Sequence, residues 1–209
     1  MFLREFVRDP WRTASVTPSG VALARQMVLP IPQRGQPVVV ELGPGTGPVT
    51  LAIQQRLAGR GRHLAVELNP RMVRLLGARC PDVEVVEGDA TLMSEILADR
   101  GLERADVVVS GLPWTVFPES APRPIVAAVA AALTDEGTFA QFTYAWGRWA
   151  PPARRQLLSL RARFEEVVIS RTVWRNVPPA VVLFARRPRR DRVVSGVANL
   201  YGELRGAGD

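Results

Sequence analysis

The sequence predicts an α/β fold in which a largely parallel sheet carries helices on both faces. Short apolar runs alternate with longer helical stretches along the 209-residue chain, and this alternation is typical of βα units. Several of these runs, such as residues 38–42, are almost continuously apolar, as in strands that are buried on both faces. A composition of 47% apolar and 22% charged residues is that of an ordinary globular protein.

Seven apolar runs are predicted as strands, with helices between most of them. The predicted strands are residues 38–42, 63–67, 83–87, 106–110, 139–143, 164–170 and 180–185. The predicted helices are residues 49–58, 70–78, 91–99, 123–133 and 153–161. Five βα steps followed by a closing pair of strands predict a Rossmann-like sheet with an antiparallel edge.

Two terminal segments fall outside this pattern. Residues 1–14 are predicted as an amphipathic helix, because apolar residues (Phe2, Leu3, Phe6 and Val7) share one helical face and charged residues take the other. Residues 188–209 are predicted as a basic, amphipathic tail, and residues 15–187 as the domain between the two segments. Each amphipathic segment can either pack on the domain or lie in a membrane interface.

The charged residues limit the possible chemistry and indicate a partner. All 27 basic residues are arginine, which excludes a lysine Schiff base or a lysine general base. One cysteine and one histidine exclude an internal disulfide and a zinc site built from these residue types, so no metal is expected. Residues 148–192 hold 12 Arg against 3 acids, a net charge of +9, whereas the remaining residues have a net charge of −2. This regional surplus indicates an anionic partner, either nucleic acid or an anionic membrane surface.

The chain has no run of about 18 uncharged apolar residues, so no transmembrane helix is expected. Charged residues interrupt the first ten positions, which is unlike a secretory signal. The expected compartment is therefore the reducing cytoplasm.

A glycine-rich turn after the first predicted strand is the strongest functional signal. Residues 38–47 read VVVELGPGTG, so the strand ends in Glu41 and the turn holds Gly43, Gly45 and Gly47. Glycines let a ligand approach the backbone closely. A dinucleotide site has Gly or Ala at the position that Pro48 occupies here, which argues against NAD.

The same turn resembles the first motif of class I S-adenosylmethionine methyltransferases. In that motif the glycine turn passes the amino-acid end of the cofactor, and the acid fixes the loop or contacts the cofactor indirectly. The resemblance therefore implies a cofactor-binding turn. Its expected residues are Glu41, Gly43, Pro44, Gly45, Thr46 and Gly47.

Acids also follow the second and third predicted strands. Glu67 ends the second strand, where a carboxylate can accept hydrogen bonds from ribose hydroxyls. Asp89 follows the third strand, where it can accept from an adenine amino group or cap the next helix. Because ligands bind outside the carboxyl ends of parallel strands, these acids, with Leu68 and Ala90, are predicted to join the glycine turn in one site.

The fourth strand ends in Ser110-Gly111-Leu112-Pro113-Trp114. Methyltransferases of exocyclic base amines resemble this region but carry Asn or Asp at the position of Ser110, so the serine favours a different amine. Ser110, Gly111 and Leu112 are predicted to contact the cofactor, and Ser110 also to act in catalysis. Trp114 is predicted to contact a substrate ammonium through a cation–π interaction, with a core tryptophan as the alternative.

Residues after the fifth and sixth predicted strands complete the expected site. Tyr144 ends the fifth strand, where it can accept a proton from the substrate nitrogen or hydrogen-bond to it. Arg148, Arg175 and Asn176 are predicted to bind a substrate phosphate. His63 lies within the second strand, and we do not expect it to be a catalytic base.

Six motifs together resemble the bacterial phospholipid N-methyltransferase family. They are ELGPGTG at 41–47, VELNP at 66–70, GDA at 88–90, SGLP at 110–113, QFTY at 141–144 and NVPPA at 176–180. The first three motifs are typical of any class I methyltransferase, and the last three narrow the choice. VTPS at 16–19 also resembles that family's segment before the core, and it adds Ser19 to the expected cofactor site.

This resemblance implies a class I fold with a seven-stranded sheet in the order 3-2-1-4-5-7-6. It implies S-adenosylmethionine as cofactor, S-adenosylhomocysteine as product, and methylation of phosphatidylethanolamine through mono- and dimethyl intermediates to phosphatidylcholine. The enzyme would bind peripherally to anionic phospholipid on the inner face of the cytoplasmic membrane.

Two alternatives remain open. The first is an rRNA adenine N6-dimethyltransferase, against which stand Ser110 and the lack of room for a C-terminal RNA-binding domain after Ala185, so nucleic acid is not the expected partner. The second is a non-enzymatic module that binds RNA or membranes. The intact acids Glu41, Glu67 and Asp89 count against this second alternative.

Overall fold

The computed structural model describes residues 20–114, 117 and 122–190. The predicted N-terminal helix of residues 1–14, Ser19 and most of the predicted C-terminal tail lie outside these described residues. Within the described ranges, no helix has the length and apolar character needed to cross a bilayer.

Helices and strands alternate along most of the described chain. The α-helices are α1 (Val21–Met27), α2 (Pro48–Leu57), α3 (Pro70–Arg79), α4 (Met93–Ala98), α5 (Pro122–Ala132) and α6 (Pro151–Arg163). The strands are β1 (Val38–Leu42), β2 (Arg62–Glu67), β3 (Glu84–Glu87), β4 (Ala105–Ser110), β5 (Leu133–Tyr144), β6 (Phe164–Ile169) and β7 (Ala180–Pro188). Two 3₁₀ helices, Ala90–Leu92 and Trp146–Trp149, precede α4 and α6.

The strands form one sheet in the order β3-β2-β1-β4-β5-β7-β6. β1 to β5 are parallel to their neighbours, and β7 runs antiparallel to both β5 and β6. This arrangement confirms the predicted fold. The carboxyl ends of the five parallel strands therefore meet at one edge of the sheet, which we call the carboxyl edge. The loop before β7 reaches the same edge, because Ala180 pairs with Tyr144 at the end of β5.

Two apolar layers cover the two faces of the sheet. Val39 faces α1 and α2 and packs in one cluster with Leu23 and Ile53. The next residue, Val40, faces the opposite way and packs in a cluster that includes Leu97 of α4, Val129 of α5 and Leu160 of α6. Successive residues of β1 thus bury side chains on both faces, as the continuous apolar runs predicted.

Two elements differ from the prediction. Helix α1 was not predicted, because it spans only 7 residues and its N-cap, Gly20, makes no side-chain capping bond. It forms because Leu23, Ala24 and Met27 are buried against the sheet. Strand β5 begins at Leu133 rather than at residue 139, because Leu133 pairs with Ala105 despite the turn-like sequence at 134–137.

Candidate active site

The glycine turn has the left-handed backbone that its sequence favours. Gly43, Gly45 and Gly47 have φ angles of 64°, 54° and 92°, a region that residues with a Cβ rarely adopt. Pro44 is buried and Thr46 is exposed, and Gly47 leads into α2. Space is open beside Gly45, since a Cβ built there would meet no atom within 4 Å. The turn therefore presents accessible backbone at the carboxyl edge.

The segment after β4 packs directly on this turn. The Gly111 N–H donates to the Leu42 carbonyl at 2.8 Å. A Cβ on Gly111 would lie 2.7 Å from the Gly43 carbonyl oxygen, and a Cβ on Gly43 would lie 2.7 Å from Leu112 Cδ2. The structure thus brings Gly111 and Leu112 against the glycine turn, next to the other predicted cofactor residues.

Glu41 is buried and directed at helix α2. Its Oε2 accepts from Thr50 Oγ1 at 2.8 Å and lies 3.3 Å from His63 Nε2. His63 Nδ1 is 2.8 Å from Gln54 Nε2, so strand β2 and helix α2 share one polar network. Glu41 therefore links the end of β1 to α2, which is the first role expected for the motif's acid, and its indirect contact with the cofactor remains a prediction.

Glu67 lies at the end of β2, beside the glycine turn. Glu67 is buried, and its Oε1 accepts from the Asn69 N–H at 3.0 Å. Burial raises the pKa of Glu67 above its usual value, and hydrogen bonds from the backbone of Asn69, Gly45 and Leu68 oppose this increase. Contact with Gly45 places this carboxylate where the turn opens, and its ribose-binding role remains a prediction.

Asp89 caps the 3₁₀ helix that follows β3. Its Oδ1 accepts from the Thr91 N–H at 2.9 Å and from Thr91 Oγ1 at 2.8 Å. The capping alternative is therefore present in the structure, and contact with adenine remains a prediction. The Gly88 N–H donates to the Glu67 carbonyl at 3.0 Å. Asp89 and Ala90, which come directly after Gly88, therefore begin next to the carboxyl end of β2.

Ser110 and Trp114 contact each other in the protein interior. Ser110 Oγ accepts from Trp114 Nε1 at 3.1 Å and from the Leu112 N–H at 3.2 Å. The indole packs edge-on against Phe117 and Phe139, with ring centroids 5.8 and 5.9 Å away. Trp114 is only 3% exposed, which supports the core-tryptophan alternative. The catalytic roles of both residues remain predictions.

Tyr144 lies at the carboxyl edge, between two aromatic rings. It packs edge-on against Phe142 and stacks on Trp146, with centroids 5.8 and 6.4 Å away. Burial raises the pKa of the Tyr144 phenol further above its usual value near 10. The phenol is therefore protonated at neutral pH, so it can hydrogen-bond to a substrate nitrogen but cannot act as a preformed phenolate base.

The three residues predicted to bind phosphate have different environments. Arg148 and Arg175 are exposed at the carboxyl edge, in the loops after β5 and before β7. Asn176 is buried: its Oδ1 accepts from the Gly20 N–H at 2.8 Å and its Nδ2 donates to the Pro178 carbonyl at 2.6 Å. Asn176 thus joins the loop to the start of α1, and the phosphate role of all three residues remains a prediction.

Four exposed apolar residues lie around the same edge. Trp146, Trp149, Trp174 and Val177 are 74%, 72%, 76% and 76% exposed, and we call them the aromatic rim. Their two loops meet where the Ala145 N–H donates to the Pro179 carbonyl at 2.8 Å. The sequence shows three tryptophans close to arginines, but it does not show that all three side chains face outwards.

The residues at the carboxyl edge fit S-adenosylmethionine. Open space beside the Gly45 backbone suits the amino-acid end of the cofactor, and the adjacent Glu67 carboxylate suits ribose hydroxyls. Glu41 Oε1 has no hydrogen-bond partner within the described part of the chain, so this buried acid can still accept from a further donor.

Comparison with known proteins agrees with this site. A methyltransferase domain family matches residues 39–137. The ornithine lipid N-methyltransferase of Singulisphaera acidiphila is 38% identical over 189 residues, which are 89% of this chain and 94% of that protein. Ribosomal RNA small subunit methyltransferase A of a Synechococcus strain is 44% identical over 72 residues, which are 32% of this chain and 24% of that protein.

Solved structures share the fold at low sequence identity. The precorrin-6y C5,15-methyltransferase of Geobacter metallireducens has a TM-score of 0.62 and 17% identity, covering 86% of this chain and 96% of that chain. Fibrillarin of Aeropyrum pernix with bound S-adenosyl-L-methionine has a TM-score of 0.59 and 17% identity, covering 79% and 72%. The chain therefore belongs to the class I S-adenosylmethionine-dependent methyltransferases, in the same family as the ornithine lipid N-methyltransferase of Singulisphaera.

Proposed function

We propose that this methyltransferase transfers methyl groups to the amine of a membrane-lipid headgroup. The observation that carries the proposal is the aromatic rim, which lies at the same edge of the sheet as the predicted cofactor residues. Tryptophan favours the boundary between water and lipid. Arg148 and Arg175, next to the rim, would attract an anionic lipid surface. The enzyme would then bind peripherally to the membrane with its active site facing the headgroups.

Three observations favour a lipid over an adenine in RNA, although exposed tryptophans also stack on bases. Val177 is as exposed as the tryptophans, and an aliphatic side chain has no stacking face to offer a base. Ser110 Oγ already accepts hydrogen bonds from Trp114 and Leu112, and it has no planar amide to hold a base amine. The lipid relative is also matched over most of its length, whereas the RNA relative is matched over about a quarter of its length.

The residues of this chain would mainly position the reactants. When bound, the cofactor supplies a methyl group on a sulfonium, which the neutral amine takes up as the carbon–sulfur bond breaks and the nitrogen releases a proton. The glycine turn and Glu67 would fix the cofactor, and the loops after β4 and β5 would align the amine, since proximity provides most of such catalysis. Tyr144, a neutral phenol, would hold the amine by a hydrogen bond while water takes the proton.

Two headgroups are candidate substrates. Phosphatidylethanolamine is the substrate that the family resemblance implies, with phosphatidylcholine as the final product. Ornithine lipid is the substrate in the name of the Singulisphaera relative. Both headgroups carry a primary amine on a short alkyl arm and an anionic group a few bonds away, so both match a site with arginines beside it.

The test is to incubate the full chain with methyl-labelled S-adenosylmethionine and one of three acceptors. These are vesicles containing phosphatidylethanolamine, vesicles containing ornithine lipid, and bulk RNA. We expect label in at least one lipid, and chromatography of the headgroups would count the methyl groups added. Label in RNA alone would contradict the proposal and support the adenine alternative.

A further inference from the structure

A polar cluster lies inside the apolar layer between helix α2 and the sheet. It consists of Glu41 from β1, His63 from β2, and Thr50 and Gln54 from α2. The buried apolar members of this layer include Val39, Val49, Ile53, Leu57 and Val107. Replacing a buried charged cluster with apolar residues is often neutral or stabilising, because the charge must first lose its water. The cluster therefore indicates a role other than stabilising the fold.

Two groups of the cluster face the same carboxylate oxygen. Thr50 Oγ1 donates to Glu41 Oε2 at 2.8 Å, and His63 Nε2 lies 3.3 Å from that oxygen. Nε2 has no better-aligned hydrogen-bond partner among the described residues. The side chains of Glu41 and His63 are both almost fully buried, so water cannot replace either contact. The Glu41 carboxylate therefore lies between a donor from α2 and a ring nitrogen from β2.

Gln54 determines which nitrogen of the His63 ring carries the proton. Gln54 Nε2 lies 2.8 Å from His63 Nδ1. An amide nitrogen donates and does not accept, so Nδ1 is the accepting nitrogen and the proton of the neutral ring lies on Nε2. This tautomer directs an N–H at the Glu41 carboxylate without a positive charge on the ring. The opposite tautomer would direct a lone pair at the carboxylate instead.

Glu41 and Thr50 lie on either side of the glycine turn. Glu41 comes two residues before Gly43, and Thr50 comes three residues after Gly47. A Cβ on Gly47 would lie 3.7 Å from Thr50 Oγ1, so this hydroxyl is next to the turn. The hydrogen bond between Thr50 and Glu41, which we call the clasp, joins the two ends of the turn. A shift of Glu41 would therefore reach the backbone that is predicted to bind the cofactor.

We propose that His63 is a positioning residue for cofactor binding and that it acts through Glu41. Gln54 orients the ring, the Nε2–H orients the Glu41 carboxylate, and the clasp holds the glycine turn in the shape that accepts the amino-acid end of S-adenosylmethionine. The inference rests on the methyltransferase family of the chain and on the predicted role of the turn. It does not depend on which acceptor is methylated, so failure of the lipid assay would leave it intact.

The tautomer can be measured directly, because the chain contains one histidine. In the full chain labelled with ¹⁵N-histidine, the shifts of the two ring nitrogens identify the protonated one at a mildly alkaline pH, where a free imidazole is neutral. We expect the proton on Nε2. Saturating S-adenosylmethionine should move the Nε2–H signal more than adenosine does, since adenosine lacks the amino-acid end. A proton on Nδ1, or a signal that the cofactor does not move, would overturn the proposal.

Two substitutions of His63 separate the N–H from the volume of the ring. His63→Gln keeps an N–H that can reach Glu41, whereas His63→Leu fills the space and has no donor. We expect His63→Leu to raise the Kd for S-adenosylmethionine about 3- to 30-fold, the range typical of residues that act on a ligand without touching it. His63→Gln should restore most of the lost affinity.

Ile53→Val is the matched control for stability. Ile53 is buried in the same apolar layer and belongs to α2, but it contributes no polar atom to the cluster. This variant should lower the Tm and leave the Kd unchanged, with binding measured well below the Tm of every variant. If its Kd rose as much as that of His63→Leu, or if both His63 variants bound the cofactor like wild type, the cluster would be structural only and the proposal wrong.

A double variant tests the path through the clasp. Thr50→Val removes the hydroxyl and keeps the shape of the side chain, so it should weaken cofactor binding by itself. If His63 acts through the clasp, Thr50→Val/His63→Leu should bind S-adenosylmethionine about as well as Thr50→Val, because the two losses share one cause. Fully additive losses would show that His63 acts independently of Glu41 and would overturn the proposed path.

Discussion

At the residue scale, the buried carboxylate of Glu67 lowers the stability of the fold at neutral pH, and the same carboxylate is predicted to bind the cofactor ribose. Burial raises the pKa of Glu67, so between its ordinary value and the raised value the folded chain binds the proton more tightly than the unfolded chain. The free energy of unfolding therefore falls as pH rises through that interval. At neutral pH the ionised carboxylate destabilises the empty protein, and hydrogen bonds from ribose hydroxyls would offset this cost.

Replacing Glu67 with Gln should separate the two effects. The amide can still accept from the Asn69 N–H but carries no charge, so we expect the Tm of the cofactor-free protein to rise. The Kd for S-adenosylmethionine should increase at least about tenfold, because hydrogen bonds to a charged group contribute about 1.5–3 kcal/mol. Calorimetric titration and thermal unfolding measure both quantities, and an unchanged Kd would show that Glu67 does not bind the ribose.

The sequence predicts where these acids lie better than it predicts what they contact. The strand ends of Glu41, Glu67 and Asp89 follow from the alternation of strands and helices. The hydrogen bond between Thr50 and Glu41 depends on how α2 packs on the sheet. The local sequence pattern does not predict this packing. Asn176 is similar, since its partner Gly20 is 156 residues away along the chain.

At the scale of elements, the contact between the glycine turn and the β4 loop should be sensitive to a single methyl group. In Gly111→Ala the new Cβ would lie 2.7 Å from the Gly43 carbonyl oxygen, so one backbone segment must move. We expect a loss of about 1–3 kcal/mol in the free energy of unfolding. We also expect a weaker Kd for S-adenosylmethionine, because the displaced segments are part of its predicted site.

Gly77→Ala provides the matched control. Gly77 lies within α3, where a Cβ would meet no atom within 4 Å. Alanine favours the helix by about 0.5–1 kcal/mol, so this variant should be more stable and bind the cofactor normally. Denaturant unfolding compares the two variants, and equal stability of Gly111→Ala and wild type would contradict the close packing of the two loops.

Elements with long apolar runs could be predicted, and elements defined by tertiary packing could not. All seven strands could be predicted because each contains a short apolar run, although only one residue of β3 and one residue of β6 are buried. Helix α1 is too short to show a full amphipathic period, and its stability depends on the cluster around Leu23. The early start of β5 likewise depends on pairing between Leu133 and Ala105, which overrides a turn-like sequence.

At the scale of the whole molecule, part of the basic surplus is neutralised by the protein's own acids. Arg187 pairs with Glu165 at 3.0 Å, and Arg190 pairs with Asp135 at 2.8 Å. These pairs lie away from the carboxyl edge, on the strand ends and helix ends of the opposite side. At the carboxyl edge, by contrast, Arg148 and Arg175 form no ion pair with any acid among the described residues, so their positive charges remain available to an anionic surface.

The rim should bind vesicles through both its aromatic and its charged residues. In Trp149→Ala/Trp174→Ala two side chains that are more than 70% exposed are removed, so the Tm should not change. Binding to anionic vesicles, measured by co-sedimentation, should weaken at least about tenfold, since burying a large apolar side chain contributes about 1.5–3 kcal/mol. The residual binding should weaken further in 1 M salt, where the screening length falls to about 3 Å.

The control for this experiment is Leu29→Ser. Leu29 is 51% exposed, and its carbonyl accepts from Arg56 near the end of α2, at the edge of the sheet opposite the rim. This variant loses exposed apolar surface away from the rim, less than the two tryptophans provide, and should bind vesicles like wild type. If both variants bound equally well, the rim would not be the membrane-facing surface. If the tryptophan variant lost RNA binding and kept vesicle binding, the rim would instead be a base-stacking surface and the lipid assignment would lose its main support.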